Sequence, residues 1–404
     1  MPDLDDPLLP AAPYLTGPHA AEVLRPAVER AGGVLVSAQA HQLVYRPGRD
    51  ITVMFGAKIS WGGRPAVDET LVAASSHRGA LPGTVPIEAG ELHVDVWRYP
   101  FDPMLPGLAA AVTNTSVALL LGTTVERMQL QVVSFRPCRR AVVRVQRSDG
   151  DDLYLKVVEP AEVAGLLTRH AALRAVGLPV PEIESVDGDT GVVVSRALPG
   201  RDLRTVLAEG RSPLPTPAMI ATVVEQFAGA DLMTQPAVMP LATSAPRHGA
   251  MLRLVMPAAS DRIDAALEAI ARDPLDAAHT TVHGDLHDAQ LRIDEGGVIV
   301  GVLDVDDAGP GDPLDDLARL CGHVLAVSVV GDGTTNRIAS DSVARYAEQL
   351  RREFRETDCE PARFDRRVAA ALIGLATGPF RSQAADWQEL TDRLLEHVVR
   401  LTRR

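Results

Sequence analysis

An α+β fold is what this sequence predicts, and three observations carry that reading. Up to about residue 198 the chain is punctuated by short apolar runs between turn residues, the pattern of strands. Beyond that point apolar residues recur mostly at helical spacing, as in Ile220, Val223, Val224 and Phe227. Set into the helical part is one stretch, residues 282–320, where polar and apolar blocks follow each other as in a β-hairpin between two acidic loops. At 404 residues the chain is too long for one compact core and predicts two or three domains.

In chain order, residues 1 to about 17 read as a loose lead-in. A helix follows over about 19–31, with Ala20, Val23, Leu24 and Val28 on one face, and it stops at Gly32-Gly33. Strand-like runs come next at 34–37, 42–45, 51–59, 70–75 and 92–97, with an Arg-Pro-Gly-Arg turn at 46–49. A second set covers 135–143 and 153–158, and a buried strand falls at 191–195 with its continuous valines. Between the last two lies a helix over 162–176 that ends at Gly177, with Pro179 and Pro181 beyond. Helical spacing then runs over 202–207, 218–234, 253–270, 314–330, 340–354, 363–375 and 385–402, with 235–249 as a proline- and alanine-rich connector.

One internal echo bears on the domain count. Tyr45-Arg46-Pro47-Gly48-Arg49-Asp50-Ile51-Thr52-Val53 is repeated in kind by Phe135-Arg136-Pro137-Cys138-Arg139-Arg140-Ala141-Val142-Val143. After the second copy a turn over 148–151 leads to a strand containing Lys156, whereas the matching run over 70–74 carries no lysine. The first copy reads as a degenerate relative of the second. The other reading is that an Arg-Pro turn before a strand is simply common.

Composition narrows the class. A formal net charge of −13 excludes nucleic acid and anionic membrane surfaces as partners, because both need a basic face. Cys138, Cys321 and Cys359 are odd in number and lack CxxC spacing, which argues against a disulfide framework or structural zinc and for a reducing cytosol. The acidic, proline-rich start lacks the basic and apolar blocks of a signal peptide, and no apolar run reaches membrane-span length. The expectation is a soluble cytoplasmic protein of unspecified oligomeric state.

Residues 282–320 carry the chemistry. The block His283-Gly284-Asp285-Leu286-His287-Asp288-Ala289-Gln290 is too polar for a buried strand; Leu291 and Ile293 alternate after it, Glu295-Gly296-Gly297 turns, and an apolar run delivers Asp304. Such a hairpin lets Asp285, Gln290 and Asp304 converge at one end. Phosphoryl transfer requires that layout: one carboxylate orients an acceptor hydroxyl and takes its proton, while an amide oxygen and a second carboxylate hold magnesium.

HGDLHxxQ, then Leu303-Asp304, then GDPxxDLA resembles the aminoglycoside phosphotransferase and choline kinase superfamily, relatives of protein kinases. Gln290, where most members carry asparagine, is similar to the maltokinase and glucosamine kinase branch. The resemblance implies a bilobal protein-kinase-like fold with an N-terminal α/β cap domain at 1–115, an N-lobe at 116–198 and a mostly helical C-lobe at 199–404. It implies Asp285 as catalytic base, Gln290 and Asp304 as magnesium ligands, and Asp316 as a carboxylate bracing the catalytic loop. Lys156 would hold the nucleotide phosphates with Glu162 as its partner, and the backbone of Arg196 and Leu198 would face adenine. His287 would brace the loop, Asp306 and Asp307 would face solvent, and Asp386, Trp387 and Glu389 are candidates to line the acceptor pocket, the other reading being that acidic residues at a helix start simply complement its dipole. ATP and Mg2+ follow as cofactors. The implied activity is phosphorylation of a small-molecule hydroxyl acceptor, by preference a sugar or aminosugar. Aminoglycoside phosphotransferase and a regulatory pseudokinase are the alternatives. Two departures stand out: residues 134–140 hold no glycine-rich phosphate loop, and the glutamate of the following helix comes very early.

Overall fold

The computed structural model describes residues 4, 6–76, 79–90, 92–148, 150–210, 213–273, 280–330, 337–357 and 360–403. Cys359, and Asp149 of the expected turn over 148–151, lie outside the described residues. The chain forms two compact units. One comprises Met1–Val163, Glu184–Ser195 and Pro379–Ala385, and the other Ala164–Ile183, Arg196–Gly378 and Asp386–Arg404.

The first unit is built on two five-stranded sheets. One contains β1 (Gly33–Arg46), β2 (Asp50–Trp61), β3 (Val67–Ser76), β4 (Val85–Ala89) and β5 (Leu92–Arg98), in the order β1-β2-β3-β5-β4. The other contains β6 (Met128–Arg136), β7 (Arg140–Arg147), β8 (Leu153–Val158), β9 (Ile183–Asp187) and β10 (Val192–Arg196), in the order β6-β7-β8-β10-β9. The two runs expected at 34–37 and 42–45 are one strand, β1, kept continuous by register shifts between Leu35 and Ser37 and between Ala40 and Gln42. Each extra residue kinks the strand without ending its pairing, so the broken alternation looks in sequence like two strands. β4 has too few apolar residues to show a period. The lead-in is not loose: Leu4, Leu9 and Leu15 are at most 1% exposed, and Ala12–Thr16 is a short helix.

Both Arg-Pro turns are pinned alike. The Asp6 carboxylate accepts from the Gly48 N–H at 2.7 Å and from the Leu8 N–H at 3.0 Å. The Asp102 carboxylate accepts from the Cys138 N–H and the Met104 N–H, both at 2.9 Å. Each aspartate opens an Asp-Pro-x-Leu-Pro segment, at 6–10 and at 102–106. The central turn residue is left-handed in both, Gly48 at φ 67° and Cys138 at φ 56°.

The second unit is mostly helical. Its core joins Phe227, Ile263, Leu320, Phe364 and Leu394, all at most 1% exposed. Asp202 caps the helix Leu203–Ala208 by accepting from the Thr205 N–H at 2.8 Å, a contact that typically contributes about 1 kcal/mol. The helix expected over 253–270 is two helices, Leu241–Val255 and Ser260–Ile270, because Pro257 opens a one-turn break between them. Part of the expected connector is thereby helical, with Pro246 inside it. Two small sheets carry the polar loops: β11 (Arg201–Asp202), β13 (Leu291–Ile293) and β14 (Ile299–Val302) in the order β11-β13-β14, and β12 (Thr280–Val282) paired with β15 (Gly309–Gly311). Among the described residues, no helix is long and apolar enough to cross a membrane.

Candidate active site

The polar block over 283–290 runs from the end of β12 to the start of β13 and is held from several sides. Gly284 sits at φ 85°, and a Cβ there would lie 2.7 Å from the Asp307 carbonyl oxygen, so the triplet His-Gly-Asp needs glycine in its middle. The Asp316 carboxylate accepts the His283 N–H at 2.7 Å and the Gly284 N–H at 3.0 Å, which is the brace its position implied. Burial pushes the Asp316 carboxyl up, against the opposing pull of His283, Arg319 and those two N–H donors. His283 Nδ1 accepts from the Asp285 N–H at 3.2 Å, so its Nε2–H donates to the Leu303 carbonyl at 2.9 Å. One imidazole thus ties the residue before Asp304 to the backbone of Asp285.

The hairpin closes the other side. Leu291 pairs with Val302, and the Leu303 N–H donates to the Gln290 carbonyl at 2.8 Å, which brings the residues flanking the hairpin side by side. The Gln290 amide nitrogen donates to Asp304 Oδ2 at 3.2 Å and lies 3.1 Å from His287 Nε2. Asp304 has φ 56°, a left-handed conformation uncommon outside glycine. Hard oxygen donors from a carboxylate and a neighbouring amide are the donor set that magnesium prefers, so these residues fit a divalent cation. Asp306 and Asp307 follow in a single turn, Asp307 exposed and Asp306 half-buried.

Arg319 was not singled out in the sequence. It stands three residues after Asp316 on the helix Pro313–Val330, and that spacing puts both on one face. Its guanidinium lies 3.7 Å from Asp285 Oδ1. Below the loop, both Asp288 oxygens accept from Arg204, at 2.8 and 3.0 Å. Burial would raise the Asp288 carboxyl, but neighbouring His287 and Arg204 hold it well below the ordinary carboxylate range. His323 stacks on His287 with ring centroids 4.4 Å apart, and burial together with that neighbour pushes its imidazole well below the usual value. His287, Asp288 and His323 could offer a metal three ligand atoms, yet Arg204 already occupies both Asp288 oxygens. The cluster is an ion-paired brace.

A cavity of about 170 Å3 opens beside the loop, lined by Val238, Ile270, Asp312, Asp316, Arg319 and Arg367 among others. Its guanidiniums are largely paired: Arg367 meets Asp312 and Asp315 at 2.6 Å each, and Arg366 holds Asp273 bidentately. Asp386 and Glu389 are exposed at the start of the helix Trp387–Thr402 and, like Trp387, do not line this cavity.

In the first unit, Lys156 lies mid-strand in β8 opposite Val142 and is half-buried. Glu162 ends a single turn, Pro160–Glu162, and the helix begins after it at Val163, because Pro160 starts the turn. The Arg196 N–H donates to the Glu182 carbonyl at 2.9 Å, and Leu198 packs against Gly301 of the hairpin.

The sequence model of the phosphotransferase enzyme family matches residues 138–357, 220 of the chain's 404. No curated protein matches the chain. Among solved structures the chain is similar to an aminoglycoside-3'-phosphotransferase of type VIII, with 20% identity over 67% of this chain and 93% of that one and a TM-score of 0.40. It is also similar to a choline/ethanolamine kinase family protein from Mesorhizobium loti, with 20% identity, 68% and 88% coverage and a TM-score of 0.45. A macrolide 2'-phosphotransferase from Brachybacterium faecium gives 20% identity, 69% and 96% coverage and a TM-score of 0.41. With more than half its length in the family match, the chain belongs to the phosphotransferase enzyme family.

Proposed function

We propose that this protein transfers the γ-phosphoryl group of ATP to a hydroxyl of a sugar or aminosugar. The observation that carries the proposal is the loop geometry: a carboxylate, Asp285, on a backbone tied through His283 to the strand that presents Asp304, with the Gln290 amide 3.2 Å from Asp304. Asp285 takes the hydroxyl proton as the acceptor oxygen bonds to the γ-phosphorus. The bond from that phosphorus to the bridging oxygen breaks, and ADP leaves with its electron pair. Gln290 and Asp304 would hold magnesium, which when bound offsets charge on the phosphate oxygens. Lys156 would do the same for the α- and β-phosphates, with Glu162 as its carboxylate partner. The backbone over Arg196 and Leu198 would meet adenine; since the Arg196 N–H is spent on Glu182, Arg196 would contribute its carbonyl. Residues 1–115 would act as a cap domain, followed by an N-lobe at 116–198 and a C-lobe at 199–404.

The acceptor class rests on the cavity that shares Arg319 with the base. Asp312 and Asp315 are paired there with Arg367 and Asp273 with Arg366, so the cavity presents carboxylates and guanidiniums side by side. Paired carboxylates and guanidiniums suit the alternating donors and acceptors of a polyol. Phosphate release from ATP and phosphoacceptor formation, measured across sugars, aminosugars and aminoglycosides, test this reading. Turnover confined to aminoglycosides would reverse the acceptor assignment. Asp285→Asn should lower kcat by roughly 10²–10⁴-fold with little change in nucleotide affinity, and full activity in that variant would remove Asp285 as base.

A further inference from the structure

The two Arg-Pro turns share a frame and differ in charge. In the first, Arg46 pairs in register with Asp50, whose carboxylate accepts from the Arg46 guanidinium at 3.1 Å and lies 3.4 Å from that of Arg49. That turn neutralises itself. In the second, the register sets Arg136 opposite Arg140, so an arginine stands where the first turn has its aspartate. Arg136, Arg139 and Arg140 thus meet at one hairpin end of a chain whose formal net charge is −13. Like charges opposite one another weaken a strand pair, and an anion beside them reverses that cost.

The backbone of the second turn has little to offer an anion. Pro137 has no N–H, the Cys138 N–H is spent on Asp102, and the Arg139 N–H donates to the Arg136 carbonyl at 3.0 Å. A phosphate at this turn would therefore meet guanidiniums. Strand alternation puts two of them on the face that bears Lys156. Arg140 and Val142 are two residues apart on β7, and Val142 pairs with Lys156 on β8 and with Ser134 on β6. Farther along the same face, Arg144 is held by Asp152 at 2.8 Å. From Lys156 to the turn, the polar groups of this face on the three strands are Lys156, Ser134, Arg136 and Arg140, with no carboxylate among them.

We infer that Arg136 and Arg140 hold the phosphate chain of the nucleotide through their guanidiniums, where a glycine-rich turn would use backbone N–H groups. A guanidinium offers a planar fork of donors that matches phosphate oxygens, and Arg140 is the group that the first turn lacks. This assignment rests on the phosphotransfer reading above and names what holds the phosphates besides Lys156.

A fluorescent ATP analogue titrated onto the full chain with Mg2+, and displaced by unlabelled ATP or by adenosine, tests it. Arg140→Asp gives the second turn the residue of the first, whose Arg46–Asp50 pair shows that the frame accepts it. The variant should melt close to wild type. Its affinity for the triphosphate should fall by roughly 10- to 100-fold, while that for adenosine changes less than about twofold. Arg136→Ala should show the same split to a smaller degree, and Arg140→Lys, which keeps the charge and loses the fork, should recover part of the loss. Wild-type triphosphate affinity in Arg140→Asp or in Arg136→Ala would overturn the inference while leaving phosphotransfer standing. Equal losses for triphosphate and adenosine would overturn it as well, by marking the arginines as structural. If Arg140→Asp fails to fold, Arg140→Gln runs the same comparison. Wild-type protein that binds neither the analogue nor ATP would overturn both readings.

Discussion

Asp6 and Asp102 pin equivalent turns in two sheets of one strand order, and the residues that follow use equivalent faces in opposite ways. Thr52 pairs with Ala74 in the first sheet where Val142 pairs with Lys156 in the second, so Ala74 occupies the lysine's place. On that face the first sheet carries Met54, Val72, Ala74 and Trp97, all at most 8% exposed. They share a core with Ala141, Val143, Leu153, Leu155 and Val157, which lie on the other face of the second sheet. The second sheet's equivalent face bears Val142, Arg144, Tyr154 and Lys156, each only half-buried. One plan thus serves twice, once to bury a face and once to leave it polar. A face covered by apolar packing has no room for a phosphate, whatever its ancestry.

The comparison can be broken in three places. The largest effect belongs to Lys156→Ala, which gives the second sheet the residue of the first. If Lys156 holds the phosphates, kcat/KM for ATP should fall by roughly 10²–10³-fold in steady-state assays while the melting temperature stays nearly unchanged. The reverse exchange, Ala74→Lys, puts an ammonium group into the shared core at a site 7% exposed. It should cost about 3 kcal/mol or more in urea unfolding and create no second nucleotide site by equilibrium dialysis. A gain of nucleotide binding there would show that the two faces differ by one residue alone. The smallest effect is at the turns. Cys138→Gly should stabilise by about 0.5–1 kcal/mol, because a left-handed residue with a Cβ is strained, whereas Gly48→Ala should cost about 1 kcal/mol or more. Equal and opposite values from chemical denaturation would confirm that the two turns are interchangeable.

The echo between the two Arg-Pro turns was legible as a string, and so was the chemistry of the loop block with its glycine and its spaced oxygen donors. Other parts were written in the sequence but faint. The Asp-Pro-x-Leu-Pro segments at 6–10 and 102–106 repeat plainly, yet they resemble ordinary loop composition until the two aspartates are seen to hold corresponding turns. Arg319 could have been found from its spacing to Asp316. The partner of Lys156 was placed on a helix that starts one residue too late to contain Glu162. The helix over 241–255 was hidden by Pro246, whose cost is outweighed by burial of Leu241, Ala245, Met251, Leu252 and Val255.

By itself the sequence determined which groups are available: a carboxylate after His-Gly, an amide five residues on, an aspartate after an apolar strand, and one lysine in a second-copy strand where the first has alanine. Those are matters of residue type and spacing, and spacing survives in any extended string. Only the tertiary structure decided which way each group faces. The Gln290 amide meets Asp304 because the hairpin sets Leu303 beside Gln290, and Ala74 and Lys156 differ because one sheet packs on the other. Hydrogen-bond direction and face burial depend on contacts between residues far apart in the chain, and no local pattern encodes them.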